Sequence, residues 1–187
     1  MPVFNRICTV LLLSLPVFPV LAAPAAPVRT PLAAEGLPLT PVLAGEFSLQ
    51  AGKLPDAARW YLQAAQEAKG DVGLAERATR IAMLADDADR AEQALALWAQ
   101  RDPGSVAVRG TRGALAMRNG DARLARKELL AVLRSPESRA WRYALLALAT
   151  GGRDPAVPAQ VLGMLVDANA IPNDLEAWQE FGRLALR

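Results

Sequence analysis

The stretch GALAMRNGDARLA, residues 113–125, decides the fold because its pattern recurs along the chain at a constant spacing. Three other stretches lie in the same phase: GEFSLQAGKLPDA at 45–57, TRIAMLADDADRA at 79–91 and ALATGGRDPAVPA at 147–159. The four stretches are evenly spaced, and each opens on a small residue and closes on alanine. The positions that define this phase are Gly45, Ala57, Thr79, Ala91, Gly113, Ala125, Ala147 and Ala159. A repeat of about 34 residues is typical of stacked helix pairs.

Helical periodicity predicts four pairs of helices in this phase. They span 41–51 with 56–69, 73–85 with 90–101, 106–119 with 122–133, and 139–150 with 158–169. A small residue where two helices cross lets their axes approach, and a single hairpin cannot bury its apolar face alone. We therefore predict an all-α fold, an α-solenoid of stacked helix-turn-helix hairpins. Asp89 is predicted to cap the fourth helix, with Glu92 closing a capping box.

The N-terminal residues carry a processing signal rather than part of the fold. Arg6 precedes a short apolar run, and small residues offer cleavage sites after Ala22 or Ala25. This pattern predicts a signal peptide over 1–25, a Pro/Ala-rich linker over 26–37 and export to the periplasm, with an uncleaved anchor as the alternative. No later stretch is long and apolar enough to predict a transmembrane segment in the mature chain.

The composition argues against catalysis. The chain has 187 residues, no histidine and one cysteine, Cys8, which lies at the start of the apolar run of the signal peptide. Histidine and cysteine chemistry and the common zinc sites are therefore excluded. A lipid anchor is not predicted, because no cysteine stands at the cleavage site. The acidic cluster 86–89 lacks the glycine and the final glutamate of a calcium loop, so we predict no enzymatic activity, no cofactor and no metal site.

The spacing and the residue pattern together resemble the tetratricopeptide repeat family over about residues 38–187. The family pattern combines a large residue early in the first helix, a small residue, an alanine in the second helix and a closing proline. In the fourth repeat Tyr143 and Leu146 are the large residues, Ala147 is the small one, Ala159 is the second-helix alanine and Pro172 closes the repeat. The resemblance implies repeats at 38–71, 72–105, 106–139 and 140–173, and at 174–187 the first helix of a fifth repeat or a capping helix.

A narrower resemblance lies in the first two repeats. The residues that carry it are Gly45-Glu46-Phe47, Gln50, Gly52, Tyr61, Gln63-Ala64 and the run LAERATRIA at 74–82. They look similar to exported proteobacterial tetratricopeptide proteins, among them the outer-membrane lipoprotein that acts as adaptor for a periplasmic carboxy-terminal processing protease. This chain differs in being short and in lacking a lipidation cysteine. The resemblance implies a cell-envelope scaffold with a protein or peptide partner, and such a protease is one candidate.

The first helices of the hairpins are predicted to line a concave binding face. Arg77, Arg80 and Arg118 are candidates to pair with acidic groups of a bound peptide, and Met83 and Met117 to form an adaptable apolar floor. Solvated arginines, and methionines packed between repeats, are the alternative. The predicted function is a non-catalytic scaffold or adaptor, and a net charge of +2 gives no indication of a nucleic-acid partner. The alternative functions are a structural subunit that assembles through an open C-terminal face, and the N-terminal fragment of a longer tetratricopeptide protein.

Overall fold

The computed structural model describes residues 37–186, and within them the chain forms nine α-helices and no β-strand. The helices are α1 (Leu39–Gln50), α2 (Leu54–Glu67), α3 (Val72–Leu84), α4 (Ala88–Arg101), α5 (Val106–Arg118), α6 (Ala122–Leu133), α7 (Trp141–Thr150), α8 (Ala156–Asp167) and α9 (Leu175–Ala185). The all-α prediction is confirmed, and each predicted boundary of α1 to α8 lies within two residues of the observed one. None of these helices is long and apolar enough to cross a membrane. The predicted signal peptide and linker lie outside the described residues, except for Leu37.

The helices pack against their neighbours in the sequence. Each of α1 to α7 contacts the next helix, and α2, α5, α6 and α7 also contact the helix after that. Two apolar clusters result, one built mainly from α2, α3 and α4 and the other from α5 to α9. Met83 packs against both clusters and so lies at their junction. Apolar burial is therefore distributed along the chain instead of being gathered around one central helix.

The repeat period is visible in the backbone of three turns. Gly52, Asp86 and Gly120 follow α1, α3 and α5, and they adopt φ angles of 69°, 58° and 76°. The amide of the next residue donates a hydrogen bond to the carbonyl five residues earlier, as Asp121 does to Ala116 at 2.8 Å. This is the Schellman closure of a helix, which needs one residue in the left-handed region. Glycine and aspartate tolerate that region better than most residues, so the turn recurs where they stand.

The glycines of the repeat pattern lie where the two helices of a pair come close. A Cβ atom at Gly45 would lie 2.7 Å from Cδ2 of Tyr61, and one at Gly113 would lie 2.7 Å from Cδ2 of Leu129. Tyr61 and Leu129 belong to the second helix of each pair, so the absence of a side chain permits the approach. The buried positions of the pattern are Gly45, Ala57, Thr79, Ala91, Gly113, Ala125 and Ala147.

Ala159 departs from this pattern because it is exposed. Helix α8, to which it belongs, packs mainly against α6, whereas α4 and α6 pack mainly against the first helix of their own pair. The expectation that Ala159 lies at a buried helix crossing is therefore corrected. Its position in the repeat faces open space because α8 packs mainly against α6 rather than against α7.

Asp87, rather than the predicted Asp89, caps α4. The helix begins at Ala88, and the Asp87 carboxylate accepts a hydrogen bond from the Arg90 amide at 3.0 Å. Glu92 does not close the predicted capping box but accepts a hydrogen bond from the side chain of Asn119 at 3.1 Å. The prediction was wrong because several aspartates precede the helix, and only the backbone decides which carboxylate reaches the free amides. Asp87 has the extended conformation of a cap, with φ −98° and ψ 90°.

Asp87→Ala is expected to lower the free energy of unfolding by about 1 kcal/mol, because the amide of Arg90 loses its acceptor. Asp89→Ala is the matched control, and its loss should stay below about 0.5 kcal/mol since it contributes only through the helix dipole. Urea unfolding followed by circular dichroism measures both changes. A larger loss for Asp89→Ala than for Asp87→Ala would identify Asp89 as the cap after all.

Candidate functional site

Arg77 belongs to a polar cluster that joins the first three helices. Its guanidinium donates a hydrogen bond to the carboxylate of Glu46, which also accepts the hydroxyl hydrogen of Tyr61. The guanidinium carbon lies 4.9 Å from the centre of the Tyr61 ring. Burial, together with the hydrogen bond to Glu46, raises the pKa of Tyr61 to about 12. The phenol therefore stays protonated at neutral pH, and the cluster ties α1, α2 and α3 together.

Arg80 and Arg118, the other predicted anion-binding residues, also have partners within the chain. Arg80 is exposed and pairs with Glu76 at 2.5 Å. Arg118 donates a hydrogen bond to the backbone carbonyl of Met83 and lies 3.5 Å from a carboxylate oxygen of Asp86. Two of the five predicted residues, Met83 and Arg118, are thus brought together, while Arg77 and Arg80 have separate carboxylate partners.

Met117 is a core residue and presents no surface to a partner, because it is only 1% exposed. It lies under the end of α7: a Cβ atom at Gly151 would come within 2.6 Å of the Met117 Cε atom. The prediction that Met117 forms part of an open apolar floor is therefore corrected. Met83 is half-buried between the two apolar clusters, which is a packing role. The five predicted residues do not form one open binding surface.

An apolar groove lies between α8 and α9, with α7 as its floor. Its volume is about 780 Å³, within the range of known ligand pockets. Asp167 is the one charged residue among the described residues that line it. The large apolar lining residues include Leu148, Leu162, Val166, Ile171, Trp178, Phe181 and Leu184. Val166 and Trp178 are exposed at its edge, and apolar surface of this kind marks interaction sites.

The groove exists because α8 and α9 pack on different helices. Helix α8 lies mainly against α6, whereas α9 lies against α7. Trp141 of α7 and Phe181 of α9 support the second contact, with ring centroids 6.3 Å apart and planes inclined at 53°. Glu176 of α9 adds ion pairs to Arg142 at 2.5 Å and to Arg139 at 3.8 Å. Because α8 and α9 pack mainly against different helices, a gap remains between them.

The loop that leads into α8 forms hydrogen bonds with the turn between α3 and α4. Arg153 of this loop donates hydrogen bonds to Asp86 from Nε at 3.0 Å and from Nη2 at 2.6 Å. Arg118 approaches the same carboxylate from α5. An exposed ion pair contributes at most about 1 kcal/mol, so this contact positions the loop more than it stabilises the fold.

Small residues widen the groove on both walls. Ala159 and Gly163 lie on α8, and Gly182 lies on α9. Apart from its chain neighbours and the nearby backbone of its own helix, a Cβ atom at Gly163 or at Gly182 would meet no heavy atom within 4 Å, so packing within the described residues does not require glycine there. Glycine inside a helix costs about 0.5–1 kcal/mol relative to alanine. These glycines leave room for an occupant at a cost to helix stability.

The sequence predictions placed the binding face on the first helices and missed this groove. Two signals point to it in retrospect: glycines inside α8 and α9, and the loop GGRDP at 151–155, which is longer than the turn between α5 and α6. A longer loop lets α8 move away from α7, whereas a tight turn would hold it there. Neither signal identifies a groove until the neighbours of α8 and α9 are known.

Within the part of the chain that the structure describes, the groove offers apolar contact and a single carboxylate, which suits binding. Within residues 37–186, no group of three or more His, Cys, Asp or Glu side chains is arranged to hold a metal ion. Comparisons of the chain with protein-family models, with curated proteins and with solved structures find no match.

Proposed function

We propose that this chain is a non-catalytic scaffold that binds a protein partner through the apolar groove between α8 and α9. The observation that carries the proposal is the groove itself, with its apolar walls, the single carboxylate that the described residues give it, and a glycine in each wall that leaves space. Amphipathic helices bind grooves of this kind by burying one apolar face. We infer a partner that presents a helix with apolar residues three or four positions apart.

The fold is proposed to be an α-solenoid of the tetratricopeptide type. The proposed repeats 38–71, 72–105, 106–139 and 140–173 each contain two of the helices α1 to α8, and α9 lies in 174–187. The recurrent turn at Gly52, Asp86 and Gly120 supports this register. The fourth pair then departs from regular stacking, and the groove occupies the space that its looser packing leaves.

The groove is a better candidate site than the predicted arginine face. Arg77 and Arg80 already pair with Glu46 and Glu76, so an acidic ligand would have to displace a carboxylate of the chain itself. An apolar occupant of the groove displaces only water, and the burial of apolar surface contributes about 25 cal/mol per Å².

The scaffold is proposed to act in the periplasm. The signal peptide predicted over 1–25 and the resemblance to exported tetratricopeptide adaptors motivate this location. A role in cell-envelope proteolysis, with a periplasmic protease as one candidate partner, follows from the same resemblance.

Capture of partners from a periplasmic extract tests the site. Gly182→Trp is expected to reduce recovery of the partner by about 10- to 100-fold, because the indole occupies apolar surface that the partner would bury. The substitution also replaces a helical glycine with a better helix former, so α9 is kept. Gly73→Trp, which adds the same side chain to an exposed position of α3, is the matched control and should leave recovery unchanged.

A second variant, Arg77→Ala/Arg80→Ala/Arg118→Ala, distinguishes the groove from the arginine face. Full recovery with this triple variant supports the groove. Loss of the partner with the triple variant, combined with full recovery by Gly182→Trp, would contradict the groove and favour the arginine face. Retention of the whole chain in the cytoplasm would contradict the proposed location.

A further inference from the structure

Helix α1 exposes a row of large apolar side chains. Leu39, Leu43 and Phe47 are 62%, 52% and 66% exposed. They follow one another at intervals of four residues, so they lie along one side of the helix. The row is about 12 Å long at the rise of an α-helix. A continuous apolar row of this kind marks a surface that is covered when the protein is at work.

The repeat register shows that the position of Phe47 is buried in the second and third repeats. Ile81 of α3 and Leu115 of α5 hold the same position one and two repeats later, and they are only 7% and 5% exposed. Both belong to the apolar cluster built mainly from α2, α3 and α4. Their helices follow another helix pair and pack against it, as α3 does against α2. Within the described residues α1 has no preceding pair, so its row is a packing surface without a partner.

The row and the groove are both apolar, and each has few charges near it. Glu46 is the one charged residue of α1, and Tyr61 and Arg77 already bind it. Of the described residues that line the groove, Asp167 alone is charged. Contact between the two surfaces would therefore remove apolar area from water without burying an unpaired charge of α1, and unpaired charges are the most costly groups to bury.

The lengths of the helices also match. Helix α1 has 12 residues, and the groove walls α8 and α9 have 12 and 11 residues. A helix of this size spans roughly 18 Å, so α1 can lie along the whole groove. The open space above Gly163 and Gly182 then accepts its side chains.

We propose that α1 of one copy of the chain docks into the groove between α8 and α9 of a second copy. Leu39, Leu43 and Phe47 pack against the apolar walls there. This inference rests on the proposed function of the groove as a helix-binding site, and it names the occupant. Because the row and the groove are different surfaces, the contact is heterologous, and the assembly either closes into a ring or keeps one free surface at each end.

Two variants that each disable one surface test the proposal. Phe47→Asp removes the largest side chain of the row, and Gly182→Trp fills the groove. Each variant alone is expected to weaken self-association by about 10- to 100-fold. An equimolar mixture should form a complex of one copy of each with the affinity of the unmodified contact, because the intact row of one variant meets the intact groove of the other. Sedimentation velocity of the chain recovered from expressing cells, over a range of concentrations, measures all three.

Leu84→Asp is the matched control. Leu84 is an exposed apolar residue of α3 outside both surfaces, so the same kind of substitution should leave self-association unchanged. An equal loss with Leu84→Asp would show a non-specific apolar effect and would overturn the proposal. Failure of the mixture to form the paired complex would also overturn it, since a symmetric contact between like surfaces does not complement in this way.

Three other outcomes decide between occupants. A chain that stays monomeric at all concentrations, but loses its periplasmic partner with Gly182→Trp, refutes docking of α1 and leaves the groove as a partner site. Self-association that depends on both surfaces, without any partner lost by Gly182→Trp, supports α1 docking and contradicts the adaptor function. If deletion of residues 26–36 turns a monomer into an assembly, that segment rather than a second copy covers the row.

Discussion

Trp98→Ala is expected to lower the free energy of unfolding by about 3–5 kcal/mol, the usual cost of emptying a large aromatic site in a core. Trp98 of α4 is 2% exposed and is the largest of the fully buried side chains among residues 37–186. It lies in the apolar cluster of α2, α3 and α4, whose other members include many alanines that are too small to fill the space. Folded domains are stable by about 5–15 kcal/mol in total, so this loss approaches the limit that the fold tolerates.

Urea unfolding monitored by circular dichroism measures this loss, and Trp178→Ala is its matched control. Trp178 lies at the edge of the groove and is 45% exposed, so its replacement should cost less than about 1 kcal/mol. The same substitution at two tryptophans thus separates a residue that stabilises the core from one available to a partner. Losses of equal size would contradict the assignment of Trp178 to an open groove.

Gly151→Val is expected to destabilise the fold by about 3 kcal/mol, at the upper end of the usual overpacking cost. A Cβ atom at Gly151 would lie 2.6 Å from the carbonyl oxygen of Ala147, 2.6 Å from the Met117 Cε atom and 2.9 Å from the Cα atom of Ala114. Two of these three atoms belong to the backbone and cannot rotate away. The substitution would therefore force α5 and α7 apart.

Gly163→Val makes the same substitution at a position where the new side chain has open space. A Cβ atom at Gly163 has no such neighbour within 4 Å, and valine is the better helix former. We expect the free energy of unfolding to stay the same or to rise by a few tenths of a kcal/mol. Thermal unfolding of both variants checks the pair of predictions. A loss at Gly163 as large as that at Gly151 would mean that α8 packs against a neighbour across the groove.

Local structure could be predicted well from the sequence. Gly52 and Gly120 stand at turns that the repeat spacing indicates, and both adopt the left-handed conformation. Asp86 completes that series without being a glycine, because aspartate also tolerates this conformation. Helix positions were right for the same reason: periodicity and turn residues act over a few neighbouring residues, which the sequence contains in full.

The candidate site was predicted poorly, because exposure depends on residues that are distant in the sequence. Met117 has a flexible apolar side chain of the kind expected in an adaptable surface, yet Gly151 and the end of α7 cover it. Arg77 looks like a free cation on α3, yet Glu46 lies beside it, 31 residues earlier in the chain. Neither outcome follows from the residue itself or from its neighbours along the helix.

Ala125 and Ala159 show the difference between what the sequence determines and what the tertiary structure decides. By itself the sequence determined that each lies in the second helix of a pair, one repeat apart and in the same phase. Only the tertiary structure decided that Ala125 is fully buried and that Ala159 lines an open groove. The physical reason is that period and helix propensity are local properties, whereas burial depends on which helix lies opposite. Helix α6 packs mainly against α5, the first helix of its own pair. Helix α8 packs mainly against α6 instead, so the side of α7 that α8 would otherwise cover stays open.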